Sequence, residues 1–274
     1  MAEAEEWVIL SKPTEVLAIQ SAAIELIFES IIEPMDPRFK VEVISQTSHP
    51  QRVIYAGMHQ DYAEGFVYDE QDQFPEEAKA GDLIVKYLLQ GNRGHYGPFE
   101  HPQMVLNFGY FPHSVMQQIR THRNVSFDVQ SFRYTGARIL EVVDGKQDLE
   151  DVFYLRPVGA YSDRQGKKYE YTAEQRQEDL AWCLEGCKRY AERIHQGLAE
   201  EHARGLIPFD VRQHWVMSGN ARAIMHLLDI RGKFDVQPET RVMTELMFEK
   251  FKLWMPEVAA WYEKTRWRKG TLAP

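Results

Sequence analysis

Between residues 117 and 135 the chain reads QQIRTHRNVSFDVQSFRYT. The fourteen positions from Arg120 to Arg133 hold three arginines (Arg120, Arg123, Arg133), His122, Ser126, Asp128 and Ser131, in a chain whose net charge is −9. Guanidinium groups bind phosphate through charge-assisted, often bidentate bonds, and hydroxyls complete such sites. The stretch is a candidate anion grip. Taken singly, each arginine reads as a solvated or salt-bridged surface residue; the concentration of donors is what points to a ligand. Ser131 is a nucleophile only where a base adjoins it, so it reads as a phosphate hydrogen-bonder.

Other chemistries find less support. No G-x-G-x-x-G follows a strand, and the glycines at 159 and 166 before Lys167 are too far apart for a phosphate loop. His95, His101 and His122 match no H-E-x-x-H or Cys/His pattern, so no metal site is expected. Cys183 and Cys187 lie one helical turn apart on an apolar stripe and read as buried packing, without the electropositive surroundings of a reactive thiol. Two cysteines are too few for a disulfide framework. The acidic balance argues against a general nucleic-acid or anionic-membrane surface. The acidic MAEAEEW start lacks a basic-then-apolar signal pattern, so no signal peptide is expected, and no apolar run is long enough to span a membrane. A soluble, cytoplasmic protein is expected.

The elements that must carry the grip can be read from periodicity. With 44% hydrophobic residues over 274 positions, and no repeat or clear linker, the chain reads as one α+β domain over 1–274, with 1–40 a helical N-terminal extension. Apolar spacing predicts helices over 14–32, 78–90, 173–203, 220–230, 239–254 and 257–267. Strands are predicted over 40–45, 104–111 and 211–217, and 52–55 reads as a strand or a helix start. Ser114 is a candidate N-cap for a helix running through Arg123. Residues 125–134 then read as irregular or extended, and 141–172, apart from the apolar run 152–155, as a surface excursion. The basic cluster would straddle a helix end and a loop, where side chains and backbone N–H groups converge on one ligand.

The spacing of these residues resembles the flavin-dependent thymidylate synthases. Their signature is R-H-R, seven residues, Ser, one residue, Arg; here it reads Thr121-His122-Arg123, then Ser131 and Arg133. His95-x-x-Pro98-Phe99-Glu100-His101, Ala203-Arg204-x-x-x-Pro208, and Asn220-Ala221-Arg222 followed by His226 and Ile230-Arg231 are similar to further family segments in the same order. The resemblance implies an antiparallel sheet flanked by helices, and conversion of dUMP to dTMP. The one-carbon unit would come from methylenetetrahydrofolate and the hydride from NADPH through FAD, in a homotetramer whose sites are shared between subunits. It places Gln118, Ser131, Arg133 and Arg204 at the nucleotide and Arg231 at the pyrimidine, as the catalytic group. Thr121, His122, Arg123, Glu100, Asn220, Arg222 and His226 fall at flavin positions and His95 at the folate face. Thr121 stands where the signature has arginine, Asp128 and Val129 where Asn and Glu are usual, Gly97 where Ser or Thr is usual, and His226 in place of Asn. These departures leave a non-catalytic nucleotide-binding relative as the alternative reading, with a metal-assisted nucleotide hydrolase behind it.

Overall fold

The computed structural model describes residues 36–163 and 165–269. In chain order the elements are β1 (Lys40–Gln46), α1 (Pro50–Gln60), α2 (Glu77–Ile84), β2 (Gln103–Pro112), α3 (His113–Ile119), β3 (Val125–Val129), α4 (Ala137–Val143), α5 (Leu149–Val152), β4 (Gly159–Ser162), β5 (Lys168–Tyr171), α6 (Ala173–His195), α7 (Glu200–Ala203), β6 (Arg212–Asn220), α8 (Ala221–Arg231), α9 (Pro238–Trp254) and α10 (Pro256–Thr265). Four strands form an antiparallel sheet in the order β1-β2-β6-β3, and β4 pairs with β5 as a separate hairpin. The α+β reading with an antiparallel sheet holds.

Strand β6 shows how the sequence builds this sheet. Trp215, Met217 and Gly219 are buried, whereas His214, Val216 and Ser218 are only partly so, as a period of two requires. β2 flanks it on one side (Leu106 opposite Met217) and β3 on the other (Phe127 opposite Met217, Val129 opposite Trp215). Gly219 admits β3 closely: a Cβ there would lie 2.7 Å from Val125 Cγ1. Phe108 stacks on Trp215 with ring centroids 5.0 Å apart. Ile224, Leu227 and Leu228 of α8, Met243, Met247 and Phe251 of α9, and Val258 and Tyr262 of α10 complete this core. A second core joins Ile139 and Val142 to Val152, Phe153, Cys183, Cys187 and Tyr190.

Several boundaries differ from expectation, each for a local reason. The helix over 14–32 lies outside the described residues. The extension does not reach residue 40, because Asp36 pairs with Arg212, Phe39 enters the core and Lys40 opens β1. Residues 52–55 are helical, inside α1. The helix over 78–90 is interrupted: α2 ends at Ile84 and runs into a π turn, Val85–Leu89, before Gly91 at φ +69°. Ser114 is not an N-cap, since α3 starts at His113 directly after Pro112; its hydroxyl accepts from Gln237 Nε2 at 3.3 Å. That helix stops at Ile119 rather than Arg123, where Thr121 Oγ1 donates to the carbonyl oxygen of Gln118 at 2.7 Å. The 173–203 helix is cut after His195, with Gly197 at φ +86°. Within 141–172 the exception made for 152–155 holds, since Val152, Phe153 and Tyr154 are buried.

The start of the described chain is tied down by one buried cation. Arg212, 2% exposed, donates to Asp36, to Tyr110 O at 2.9 Å and to Glu150 O at 2.8 Å. Removing a charged partner strands a buried ion. Asp36→Ala is expected to lower unfolding free energy by about 3 kcal/mol, read from urea titration; an unchanged midpoint would show that the pair contributes nothing.

Candidate functional site

Two junctions meet to form the site. The chain leaving α3 turns back through 120–124 into β3. Across from it, β6 passes directly into α8, whose start is capped by Asn220: Oδ1 accepts from Ala223 N at 2.8 Å. Helical spacing then presents Ala223, His226 and Ile230 along one side of α8, with Arg231 beside them. Together with Thr121, His122, Arg123, Asn124 and Val125 they line a cavity of about 330 Å³.

Arg231 is the best-held side chain in this cavity. Its Nε donates to His122 Nε2 at 3.0 Å, and its Nη2 to Gln118 O at 2.9 Å and Thr121 Oγ1 at 3.0 Å. Burial pulls its pKa below the usual guanidinium value. The rings of His122 and His226 meet edge to face, centroids 5.9 Å apart. Burial first, then the charge of Arg231 and the neighbouring His226, push the pKa of His122 down to about 4. Among the described residues the lining offers hydroxyl, amide, imidazole and guanidinium groups and no carboxylate. It is built for a ligand rich in acceptors.

Around this centre the other expected residues fall into separate groups. The Gln118 side chain lies among Gln237, to which its Nε2 donates, and Thr240, whose hydroxyl donates to its Oε1 at 3.4 Å. Arg222 pairs with Glu100, joining the first turn of α8 to the Gly97–Glu100 turn, which Pro98 and Phe99 anchor in the core. His95 lies 3.5 Å from Asp61. Ser131, Arg133 and Arg204 are not among the cavity-lining residues. Ser131 Oγ accepts from Arg133 N at 3.3 Å, and Arg133 Nε pairs with Glu201 at 3.2 Å, both side chains exposed. Arg204 is exposed at the start of the Arg204–Leu206 turn that follows α7.

Motif spacing did not signal three polar residues of these groups. Gln237 and Thr240, at the start of α9, hold Gln118; only Pro238 marks the helix start that places them. Arg138 lies over the Phe132 ring at 4.9 Å, between the grip's Ser131 and Arg133 in sequence. Its Nε and Nη2 are buried and have no hydrogen-bond partner among the described residues, and burial lowers its pKa to about 10.

A model of the family described as thymidylate synthase complementing protein matches residues 42–257. The chain belongs to this family, the flavin-dependent thymidylate synthases. The flavin-dependent thymidylate synthase of Haloarcula marismortui is 32% identical over 250 residues, covering 85% of this chain and 99% of the relative. That of Halobacterium salinarum is 30% identical over 252 residues, covering 86% and 100%. Two solved structures share the fold. One is the UMP/dUMP methylase PolB from Streptomyces cacaoi bound with 5-Br dUMP, at TM-score 0.67 and 21% identity over 86% of this chain and 97% of that one. The other is Thymidylate Synthase X (ThyX) from Helicobacter pylori with FAD and dUMP, at TM-score 0.57 and 14% identity over 77% and 92%.

Against this family pattern, three departures besides His226, already placed beside His122, have visible surroundings. Val129 packs against the main core opposite Trp215. No described residue beyond its chain neighbours comes within 4 Å of where a Cβ on Gly97 would stand. Thr121 takes its place in the Arg231 bonds. The sign of the His122 shift yields a pH effect. Above about pH 6.5 the ring is neutral in both folded and unfolded chains. Between 6.5 and about 4 the unfolded chain takes up a proton that the folded site refuses, so this residue lowers stability as pH falls through that window. NMR titration is expected to give His122 a midpoint near 4; a midpoint near 6.5 would contradict the geometry.

Proposed function

We propose that the cavity between 121–125 and α8 is the active site at which this chain converts dUMP to dTMP. Methylenetetrahydrofolate would be the one-carbon donor and NADPH the source of the reducing equivalents. The observation that carries the reading is a cation, Arg231, fixed in a cavity of donors. Uracil C5 is a poor nucleophile. A guanidinium beside its N3 and O2 stabilises negative charge on the ring and raises electron density at C5. The thiols offer no other route: burial lifts Cys183 to about 11 and Cys187 to about 12, so both stay protonated near neutral pH.

The donor set suits a flavin. Ring nitrogens and carbonyl oxygens of an isoalloxazine accept from the kind of groups that line the cavity, and Val125, Ala223 and Ile230 offer apolar contact. His122, Arg123, His226 and Thr121, with Glu100, Asn220 and Arg222, are the residues that would hold FAD, and His95 the one nearest the folate. When bound, FAD supplies the hydride chemistry. The protein binds, orients and polarises. Gln118, Ser131, Arg133 and Arg204 would grip the nucleotide, its phosphate replacing Glu201 as the partner of Arg133. That Ser131, Arg133 and Arg204 stand outside the cavity lining while Gln118 bonds within the Arg231 network supports sites completed by neighbouring subunits, as in a homotetramer.

No described helix is long and apolar enough to cross a membrane, in keeping with a small-molecule enzyme acting in the cytoplasm. The purified protein is expected to show a flavin absorption spectrum and to form dTMP from dUMP only with both NADPH and methylenetetrahydrofolate present. A colourless protein that cannot be loaded with FAD, or one that binds dUMP without turnover, would overturn the proposal.

A further inference from the structure

Arginine has five N–H donors and no acceptor, so each bond it makes settles the role of its partner. Nε has one hydrogen and gives it to His122 Nε2 at 3.0 Å. That nitrogen therefore carries a lone pair, and the imidazole is neutral with its proton on Nδ1. Nη2 has two hydrogens, directed at Gln118 O (2.9 Å) and Thr121 Oγ1 (3.0 Å). The threonine hydroxyl has one hydrogen and gives it to the same Gln118 oxygen, at 2.7 Å, which leaves its lone pairs to accept from Arg231. A closed ring of three hydrogen bonds results. The Gln118 carbonyl is one of those a helix end leaves without an intrahelical partner, so the ring also completes α3. The Nε and Nη2 edge of the guanidinium is thus fully engaged, and its remaining two hydrogens are on Nη1.

We propose that Thr121 is a positioning residue for the reaction: its hydroxyl, with the Gln118 carbonyl and the Nδ1–H form of His122, fixes one edge of Arg231 so that Nη1 is the nitrogen offered to the pyrimidine. This rests on the reading of Arg231 as the group beside the base. All three partners are neutral, so the full positive charge remains for the substrate, where a carboxylate would have compensated it. The charged and titratable groups facing His122 are Arg231 and His226 from α8. Both disfavour its protonation, which keeps Nε2 available as an acceptor through neutral pH. The position explains a residue type as well. A hydroxyl both donates to the helix end and accepts from the guanidinium. An arginine, the signature residue at 121, has no acceptor and would set a second cation against Arg231.

The test uses the flavin-loaded enzyme and the variants Thr121→Val, Thr121→Ser and Thr121→Arg, with urea midpoints to confirm folding. Thr121→Val is expected to lower kcat about tenfold with KM for dUMP changed less than about threefold, because the misaligned charge matters most in the transition state. Thr121→Ser is expected to restore most of kcat, and Thr121→Arg to lose at least as much as Thr121→Val. Nitrogen-15 NMR of the wild type should show His122 Nε2 unprotonated and Nδ1 protonated at neutral pH. A folded Thr121→Val with wild-type kcat, a folded Thr121→Ser as impaired as Thr121→Val, or a proton on Nε2 would overturn the proposal. If Thr121→Val fails to fold, the serine and arginine variants and the tautomer still decide it. A wild type that forms no dTMP would instead sink the assignment of function, and the tautomer would then decide the hydrogen-bond ring alone.

Discussion

Arg231 is a half-buried cation held by neutral acceptors, and the rest of the site is arranged to keep it so. Arg222 pairs with Glu100 and Arg133 with Glu201, so their charge is partly met within the chain. Arg231 instead has a carbonyl, a hydroxyl and an imidazole lone pair as its hydrogen-bond acceptors. Neutral partners fix direction without cancelling charge, and burial strengthens the field the cation exerts. Such a group is prepared for charge that develops on a substrate. Arg138, stacked on Phe132, likewise has buried N–H groups without a hydrogen-bond partner among the described residues.

The fold supplies the rigidity this arrangement requires. β6 is paired on both sides, by β2 and β3, and runs without a loop into α8. Arg231 is the last residue of that helix, whose inward face is buried from Ala221 to Asp229. Thr244 of α9, whose hydroxyl donates to Thr240 O at 2.7 Å, lies against that helix end, its Oγ1 3.3 Å from the Arg231 carbonyl oxygen. On the facing side α3 ends within the Arg231 ring of bonds. One contact therefore serves both helix termination and site geometry.

How much of this could be read from sequence depends on whether a feature is local. The alternation of β6 and the apolar spacing of α8, α9 and α10 located those elements within a few residues, because burial of one face imposes the period. Motif spacing brought Thr121, His122, Arg123, His226 and Arg231 onto one short list, and they share a cavity. The end of α3 at Ile119 was not legible, since it is set by a threonine hydroxyl and an arginine more than a hundred positions later. Ser114 looked like a cap by residue type, yet Pro112 had already started the helix. Gln237 and Thr240 carry no motif and gain their role only where the start of α9 meets the Gln118 side chain. The neutral tautomer of His122 follows from who donates to it, which no one-dimensional pattern records.

The central claim is that C5 of dUMP is activated by an oriented guanidinium. Release of tritium from C5 of labelled dUMP by the flavin-loaded enzyme, with NADPH and methylenetetrahydrofolate, measures that step most directly. At saturating dUMP, Arg231→Ala is predicted to reduce the release rate by about a hundredfold or more, the scale of losing one aligned charge stabiliser, while the wild type releases tritium in step with dTMP formation. Tritium release by Arg231→Ala at the wild-type rate would contradict the account.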